Sequence, residues 1–396
     1  MSKTSSGEVL CMNQATVTTG WAPRLLIAVP YFKPRSGGLE EYAYQIAKGL
    51  QGHKNWHVAV VASGDGDEVR MESYQGVKVY YLPYRLRLSN TPFGIGWRRR
   101  LRRIISVERP DVIVAHAPVA GMMDVVVGQT RKIPFVVTYH FASMVKGRRL
   151  PDMLVRCYER VLLPRAFRKA QAIICASPFV QGSSLVAPYS HKSTVITPSV
   201  DTDFFRPRLQ KVSGHRIMHV GGLKAGEWHK GLDTSLRVTV ELKRKYSDVH
   251  LTVVGDGDRQ TYYEALAEKL GIMSEVEFCG RLSGERLVSA YQSADVLIMP
   301  SHKEPFGMVL IEAMACGIPV VASAVEGIPD VVDDGEVGFL VEPEDISAFA
   351  SRIGDLFDDL TLYIRCCENA RRVAVARRST WPEQVARTAE VLEALM

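Results

Sequence analysis

Short apolar runs punctuate the first half of the chain: Leu25-Leu26-Ile27-Ala28-Val29, Val58-Ala59-Val60-Val61, Val77-Lys78-Val79-Tyr80-Tyr81, Val112-Ile113-Val114, Phe135-Val136-Val137 and Ala172-Ile173-Ile174. Helix-sized segments separate them. Runs with so few polar positions are strands covered on both faces, the condition of a parallel sheet wrapped by helices. A second series follows the Pro207 region: Ile217-Met218-His219-Val220, Leu251-Thr252-Val253-Val254, Val276-Glu277-Phe278, Val296-Leu297-Ile298-Met299 and Val320-Val321-Ala322. The pattern predicts an α/β protein of two tandem Rossmann-like, doubly wound domains that face each other across a cleft at the carboxyl ends of their strands. Residues 1–22 are expected to form a disordered tail, 23–207 the first domain and 208–375 the second, leaving 376–396 as a last helix. Met1 to Gly20 is polar and rich in Ser and Thr, without the apolar stretch of a secretory signal or a membrane anchor.

A chain of 396 residues, 46% hydrophobic and 23% charged, fits two cores better than one. Its seven cysteines (11, 157, 175, 279, 316, 366 and 367) are scattered, with no C-x-x-C and no histidine at metal-ligand spacing, so a reduced, cytoplasmic setting is expected. Charge changes the picture more. The formal net charge is +6, yet residues 1–210 hold 29 Lys and Arg against 14 Asp and Glu, and the remainder hold 20 against 29. A basic module beside an acidic one implies different partners, the basic one suited to an anionic acceptor or surface. Phe93, Trp97, Leu101, Ile104 and Ile105 recur at helical spacing, and Arg98, Arg99, Arg100, Arg102 and Arg103 occupy much of the opposite surface. Such a helix either rests on an anionic membrane or docks on its own sheet with solvated arginines. Lys146, Arg148, Arg149, Arg165, Arg168 and Lys169 extend the same basic field. A lipid-linked or phosphorylated acceptor and a peripheral position at the inner face of a membrane follow as expectations. No nucleic acid is expected, because no binding module or aromatic stacking pattern accompanies the charge.

The chemistry concentrates between Val296 and Val321. An apolar strand ending at Met299-Pro300 leads into a polar loop carrying Glu304; Gly307 precedes a helix-forming segment, Met308 to Cys316, with Gly317 and Pro319 as stop signals. Free N–H groups at that helix start, together with the positive end of its dipole, attract phosphate, which makes the main chain of Phe306, Gly307 and Met308 a candidate diphosphate cradle. Glu312, a little over one turn inside, can accept from the vicinal diol of a ribose, and Glu304 from sugar hydroxyls ahead of the helix. Taken alone, the two glutamates read more readily as a solvated loop charge and an exposed helical residue.

The spacing of Glu304 and Glu312 resembles the E-x7-E signature of the retaining GT-B glycosyltransferases of family 4, and the resemblance runs from Arg24 to the last helix. It implies a GT-B fold in which the first domain takes the acceptor and the second a nucleotide sugar, with the helix after Trp381-Pro382 crossing back to brace the first domain. It also implies a donor-binding set. Gly37 and Gly38 come from the loop Ser36-Gly37-Gly38-Leu39-Glu40-Glu41, and Gly222, Lys224 and Lys230 from the segment His219 to Gly231. Gly255 follows Val253-Val254, Arg281 follows the next strand, and Glu304, Phe306, Gly307, Met308, Val309 and Glu312 complete the set. His140, which ends Val137-Thr138-Tyr139-His140, matches the histidine that touches the transferred sugar, and with Glu304 and Lys230 it makes the expected catalytic group. One position departs from the family. Where many relatives read V-G-R-L, this chain has Gly222, so either Lys224 substitutes for the arginine or charge stabilisation rests on Lys230 and the helix amides. Asp-x-Asp pairs at Asp65/Asp67 and Asp256/Asp258 read as turns, and Asp201/Asp203 resembles an altered N-G-V-D-x-x-x-F segment of the family, so all three read as structural rather than as metal ligands. No metal or other cofactor is expected beside a UDP- or GDP-sugar co-substrate, whose leaving phosphate takes the acceptor's proton. An NAD(P) oxidoreductase would need a G-x-G-x-x-G after the first strand, which is missing. A sensor that binds nucleotide sugars without turnover is the remaining alternative.

Overall fold

In the computed structural model, described for residues 22–396 apart from 36, 54, 89–90, 118–120, 131, 146–148, 209–213 and 377–379, the apolar runs lie in two separate parallel sheets. Residues 1–21 of the expected tail (1–22), Ser36, Lys146 and Arg148 lie outside the described residues. The first sheet contains β1 (Arg24–Ala28), β2 (His57–Gly64), β3 (Arg70–Tyr74), β4 (Val77–Pro83), β7 (Val112–Ala117), β8 (Phe135–Tyr139), β9 (Ala172–Cys175) and β10 (Ser193–Val195). A small hairpin, β5 (Leu86–Leu88) and β6 (Thr91–Phe93), stands apart from it. The strand order is β10-β9-β8-β7-β1-β2-β4-β3, and only β3 runs antiparallel to its neighbour. The second sheet orders β13 (Val276–Phe278), β12 (His250–Val254), β11 (Arg216–Val220), β14 (Val296–Met299), β15 (Val320–Ser323) and β16 (Gly338–Val341), all parallel. In each sheet the winding reverses at the first strand, between β1 and β7 and between β11 and β14. Loops leaving those strands diverge and open a crevice there, the usual seat of a ligand in open α/β sheets.

Each sheet is sandwiched between apolar clusters. Helix Trp97–Glu108 contributes Trp97, Leu101 and Ile104 to one face of the first sheet, all at most 6% exposed, and the Trp97 indole donates to the Pro83 carbonyl at 2.6 Å. Its apolar stripe is therefore spent on its own sheet, while Arg98, Arg99, Arg102 and Arg103 are exposed. Of the two alternatives for this helix, docking is the one the structure adopts: the apolar stripe of Trp97, Leu101 and Ile104 is buried on the sheet, and within the helix Val107 alone is a large apolar side chain left exposed. The opposite face is covered by helix Gly38–Gly52 and by the last helix, Trp381–Glu393. Val385, Ala389 and Leu392 of that last helix share one core with Leu25, Ile46 and Leu50, so the chain's end packs on the lobe that holds its start. Among the described residues no helix is long and apolar enough to cross a membrane.

Candidate active site

The loop after β14 is fixed from several sides before Glu304 enters the picture. His302 N donates to the His229 carbonyl at 2.8 Å, and Gly327 N donates to the Glu304 carbonyl at 3.0 Å. The chain then turns through Gly307, at φ 90°, into helix Met308–Ala315. Glu304, 7% exposed, folds back over that helix start, where its Oε1 accepts from Gly307 N at 3.1 Å. Its Oε2 accepts from Lys230 Nζ at 2.6 Å. Lys230 reaches this point because Gly231, at φ 73°, brings the turn against the end of β14. A Cβ at position 231 would overlap the Pro300 carbonyl, so packing alone requires the glycine after Lys230. Burial alone would pull the Lys230 ammonium down, but Glu304, with Glu227 and Glu326 farther off, raises it above the ordinary lysine value. Cation, carboxylate and helix amide thus meet within hydrogen-bonding distance, an arrangement able to hold an anion on one side and hydroxyls on the other.

Glu312 lies half-buried farther along the same helix. Burial lifts its carboxyl to about 7, although the Tyr291 hydroxyl donates to Oε2 at 2.8 Å, and Glu41 of the first lobe adds to the upward push. Phe205 lies against Tyr291, and Arg371 donates to the carbonyls of Thr202, Phe205 and Ala315, which locks this end of the helix in place. Across the crevice, Gly38 stands 3.9 Å from Met308 Cγ, measured from where its Cβ would be. Behind Gly37, Glu40 is raised by burial and countered by Arg35, Lys33 and, from the second lobe, Lys224. Arg281 holds Asp256 below its usual range through a 2.8 Å ion pair at the tips of β12 and β13. These residues form the far wall, with Gly255 packed on the Gly221 backbone.

At Gly222 an acid fills the neighbouring space. A Cβ there would overlap the Glu227 carboxylate, and Glu227 Oε2 is buried with no hydrogen-bond partner. In this conformation an acid occupies the space beside position 222, so any replacement for the family's arginine must come from elsewhere.

His140 sits at the tip of β8, 8% exposed, and the structure gives it a companion that the sequence reading missed. His116, at the end of β7, places Nδ1 2.9 Å from His140 Nε2, with the rings stacked at 13° and Tyr42 edge-on to both. Burial pulls His140 down to about 3 and His116 well below its ordinary value, so one neutral ring donates to the other. The missed signal is positional: His116 terminates an apolar run as His140 does, at the strand where the winding reverses. His140 is carried on the first lobe and Glu304 on the second, and their loops are tied across the crevice. Lys303 Nζ donates to the Val145 carbonyl at 2.5 Å and Ser177 Oγ to the Pro305 carbonyl at 2.8 Å.

The Asp-x-Asp pairs are engaged within the chain. Asp65 accepts from Tyr84, Asp67 pairs with Arg85, Asp201 caps its own turn, and Asp258 accepts from Ala225 N. Among the described residues no group of three His, Cys, Asp or Glu is placed to hold a metal ion.

Comparison with known proteins agrees with this geometry. Residues 36–204 match the model of Glycosyltransferase Family 4 and residues 208–373 that of Glycosyl transferases group 1. A D-inositol 3-phosphate glycosyltransferase from Acidothermus cellulolyticus is 34% identical over 63% of this chain, which spans 60% of that relative's length. The enzyme of the same description from Streptomyces scabiei is 30% identical over 72% of this chain and 68% of its own. Among solved structures, Anabaena HepE in complex with UDP-glucose superimposes with a TM-score of 0.74 at 20% identity, covering 93% of this chain and 99% of that one. The fold is that of HepE, and the chain belongs to the family 4 glycosyltransferases, the glycosyl transferases group 1, with the two-lobed GT-B architecture.

Proposed function

We propose that the protein is a retaining, metal-independent glycosyltransferase that moves a hexose-type sugar from a UDP- or GDP-sugar to an acceptor hydroxyl. The observation that carries this reading is the bridge Lys230–Glu304–Gly307, in which a carboxylate occupies both a cation and a helix-terminal amide. An entering diphosphate takes over Lys230 and the amides of residues 306–308, and Glu304 is released to the sugar's hydroxyls. Glu312 accepts from the ribose. His140, neutral, meets the sugar as a hydrogen-bonding ring rather than as an acid. The acceptor oxygen then bonds to the anomeric carbon on the face the phosphate leaves, the carbon–phosphate oxygen bond breaks, and the acceptor's proton passes to the departing diphosphate. UDP-glucose is the first donor to try, since HepE is bound to it. The acceptor is anionic or lipid-linked, met by the basic first lobe of a cytoplasmic protein peripheral to the membrane's inner face.

The test is donor consumption with UDP-, GDP- and ADP-sugars in the presence of a chelator, followed by the anomeric proton coupling of the product. Glu304→Ala should abolish transfer with an unchanged circular-dichroism spectrum; near-normal transfer by that variant defeats the reading. A second reading, a sensor that binds without turnover, draws on Glu227 filling the space beside Gly222. It predicts tight UDP or GDP binding with neither transfer nor donor hydrolysis.

A further inference from the structure

Helix Arg149–Val161 and the turn after it present an apolar face outward, beside the loop that follows His140. Met153 is 60% exposed and Leu154 67%, Val161 47% and Leu162 39%; Phe141, next to His140 in sequence, is 40% exposed. Met153, Leu154, exposed Cys157 and Val161 share one side at helical spacing. Leaving large side chains in water is unfavourable, and a solvated helix ordinarily turns polar groups there. The helix does have acids, but it turns them inward. Asp152 and Glu159 are 7% and 6% exposed, and Glu159 accepts from Ser143 Oγ at 3.0 Å and Met144 N at 2.6 Å. Every exposed charge described from residue 152 to 169 is an arginine: Arg156, Arg160, Arg165 and Arg168. Tyr158, Leu163, Ala166 and Phe167 are in the first lobe's core, so the face is held firmly in its orientation.

We propose that this face docks on an anionic phospholipid bilayer, Met153, Leu154 and Val161 entering the headgroup boundary and the arginines meeting lipid phosphates. The charge selects the occupant. A second copy packed about a twofold axis would set these arginines against themselves, whereas a bilayer of anionic lipids neutralises them all. The Glu159 bonds to Ser143 and Met144 connect the docked helix to the strap that runs from His140 to Val145 and on to Lys303. Docking therefore brings the mouth of the crevice to lipid headgroup level. The inference rests on the preceding section only for its purpose, delivery of a membrane-borne acceptor.

The full chain is sedimented without donor against vesicles of phosphatidylcholine alone and vesicles of which about a third is phosphatidylglycerol. The expected result is binding to the anionic vesicles only. Met153→Ser/Leu154→Ser and Arg156→Gln/Arg160→Gln should each weaken binding about tenfold or more, with thermal midpoint and UDP or GDP affinity unchanged. Absence of vesicle binding, binding unaffected by the Met153→Ser/Leu154→Ser pair, or a light-scattering dimer dissolved by the same pair each overturns the proposal. A chain that binds vesicles but transfers no sugar retains this inference and loses the transferase reading; transfer without vesicle binding keeps the transferase and loses both this inference and the membrane position proposed with it.

Discussion

Glu312 is lifted to about 7 by burial, and the sign of that shift fixes how pH acts on the site. An acid whose folded value lies above its ordinary one holds its proton more tightly in the native state. The contribution of Glu312 to the stability of the ligand-free fold therefore falls as pH rises from the ordinary value through about 7, and Glu312→Gln removes that contribution. On the proposed reading, in which Glu312 takes the ribose, donor binding runs the other way, because only the ionised carboxylate accepts from both hydroxyls. The donor KM should be lowest above pH ~7 and climb toward tenfold per unit below it, a dependence that Glu312→Gln flattens; a flat wild-type profile removes Glu312 from the ribose. Residues of this kind were legible because they sit at fixed offsets from a glycine and a helix start. His116 was not, since a lone histidine in an apolar strand carries no pattern of its own, and only folding brings β7 beside β8 and the two rings together. Nor does the sequence reveal that Lys230 and Glu304, 74 positions apart, pair with each other.

Among elements, the strands with apolar residues were the readable ones, most of them buried on both faces. The runs at β1, β2, β7, β8, β11, β12, β14 and β15 are nearly all apolar, and each is a parallel strand in an interior or near-interior position. β3 escaped because it is an exposed edge strand, Arg-Met-Glu-Ser-Tyr, whose sole sheet neighbour is β4. The hairpin β5–β6 is three residues a side and likewise leaves little hydrophobic signature. Helical spacing identified Trp97–Glu108 as amphipathic but could not say that its sheet would claim the apolar stripe, nor that Arg149–Val161 would leave one exposed. The turn at Gly231 belongs to this scale, since it positions a whole loop. Gly231→Ala should cost about 1–3 kcal/mol, lowering the thermal midpoint by a few degrees, because alanine must adopt a left-handed backbone and push on Pro300. Transfer should fall more than stability does, as Lys230 moves off Glu304; an unchanged rate in a folded variant would show that the lysine's placement is not critical.

At the scale of the whole molecule, two kinds of seam join the lobes. One is polar and thin, the bonds from Ser177, Phe179 and Lys303 across the crevice. The other is apolar: helix Trp381–Glu393 lies against helix Gly38–Gly52 so closely that a Cβ at Gly49 would overlap Val385. Trp381 also stands edge-on to Tyr42, the ring that touches His140 and His116. Leu392→Ala should therefore cost about 2–5 kcal/mol and lower the melting of the first lobe, while nucleotide affinity of the second lobe is preserved. Equal loss of both would mean that the lobes melt as one unit. The same helix sets an order of events during synthesis. Leu25, Ile46 and Leu50 leave the ribosome before the second lobe, yet their cover follows that lobe in the chain. The first lobe is covered only after the second has been made, so its apolar flank waits, unprotected, until the entire second lobe has been threaded out.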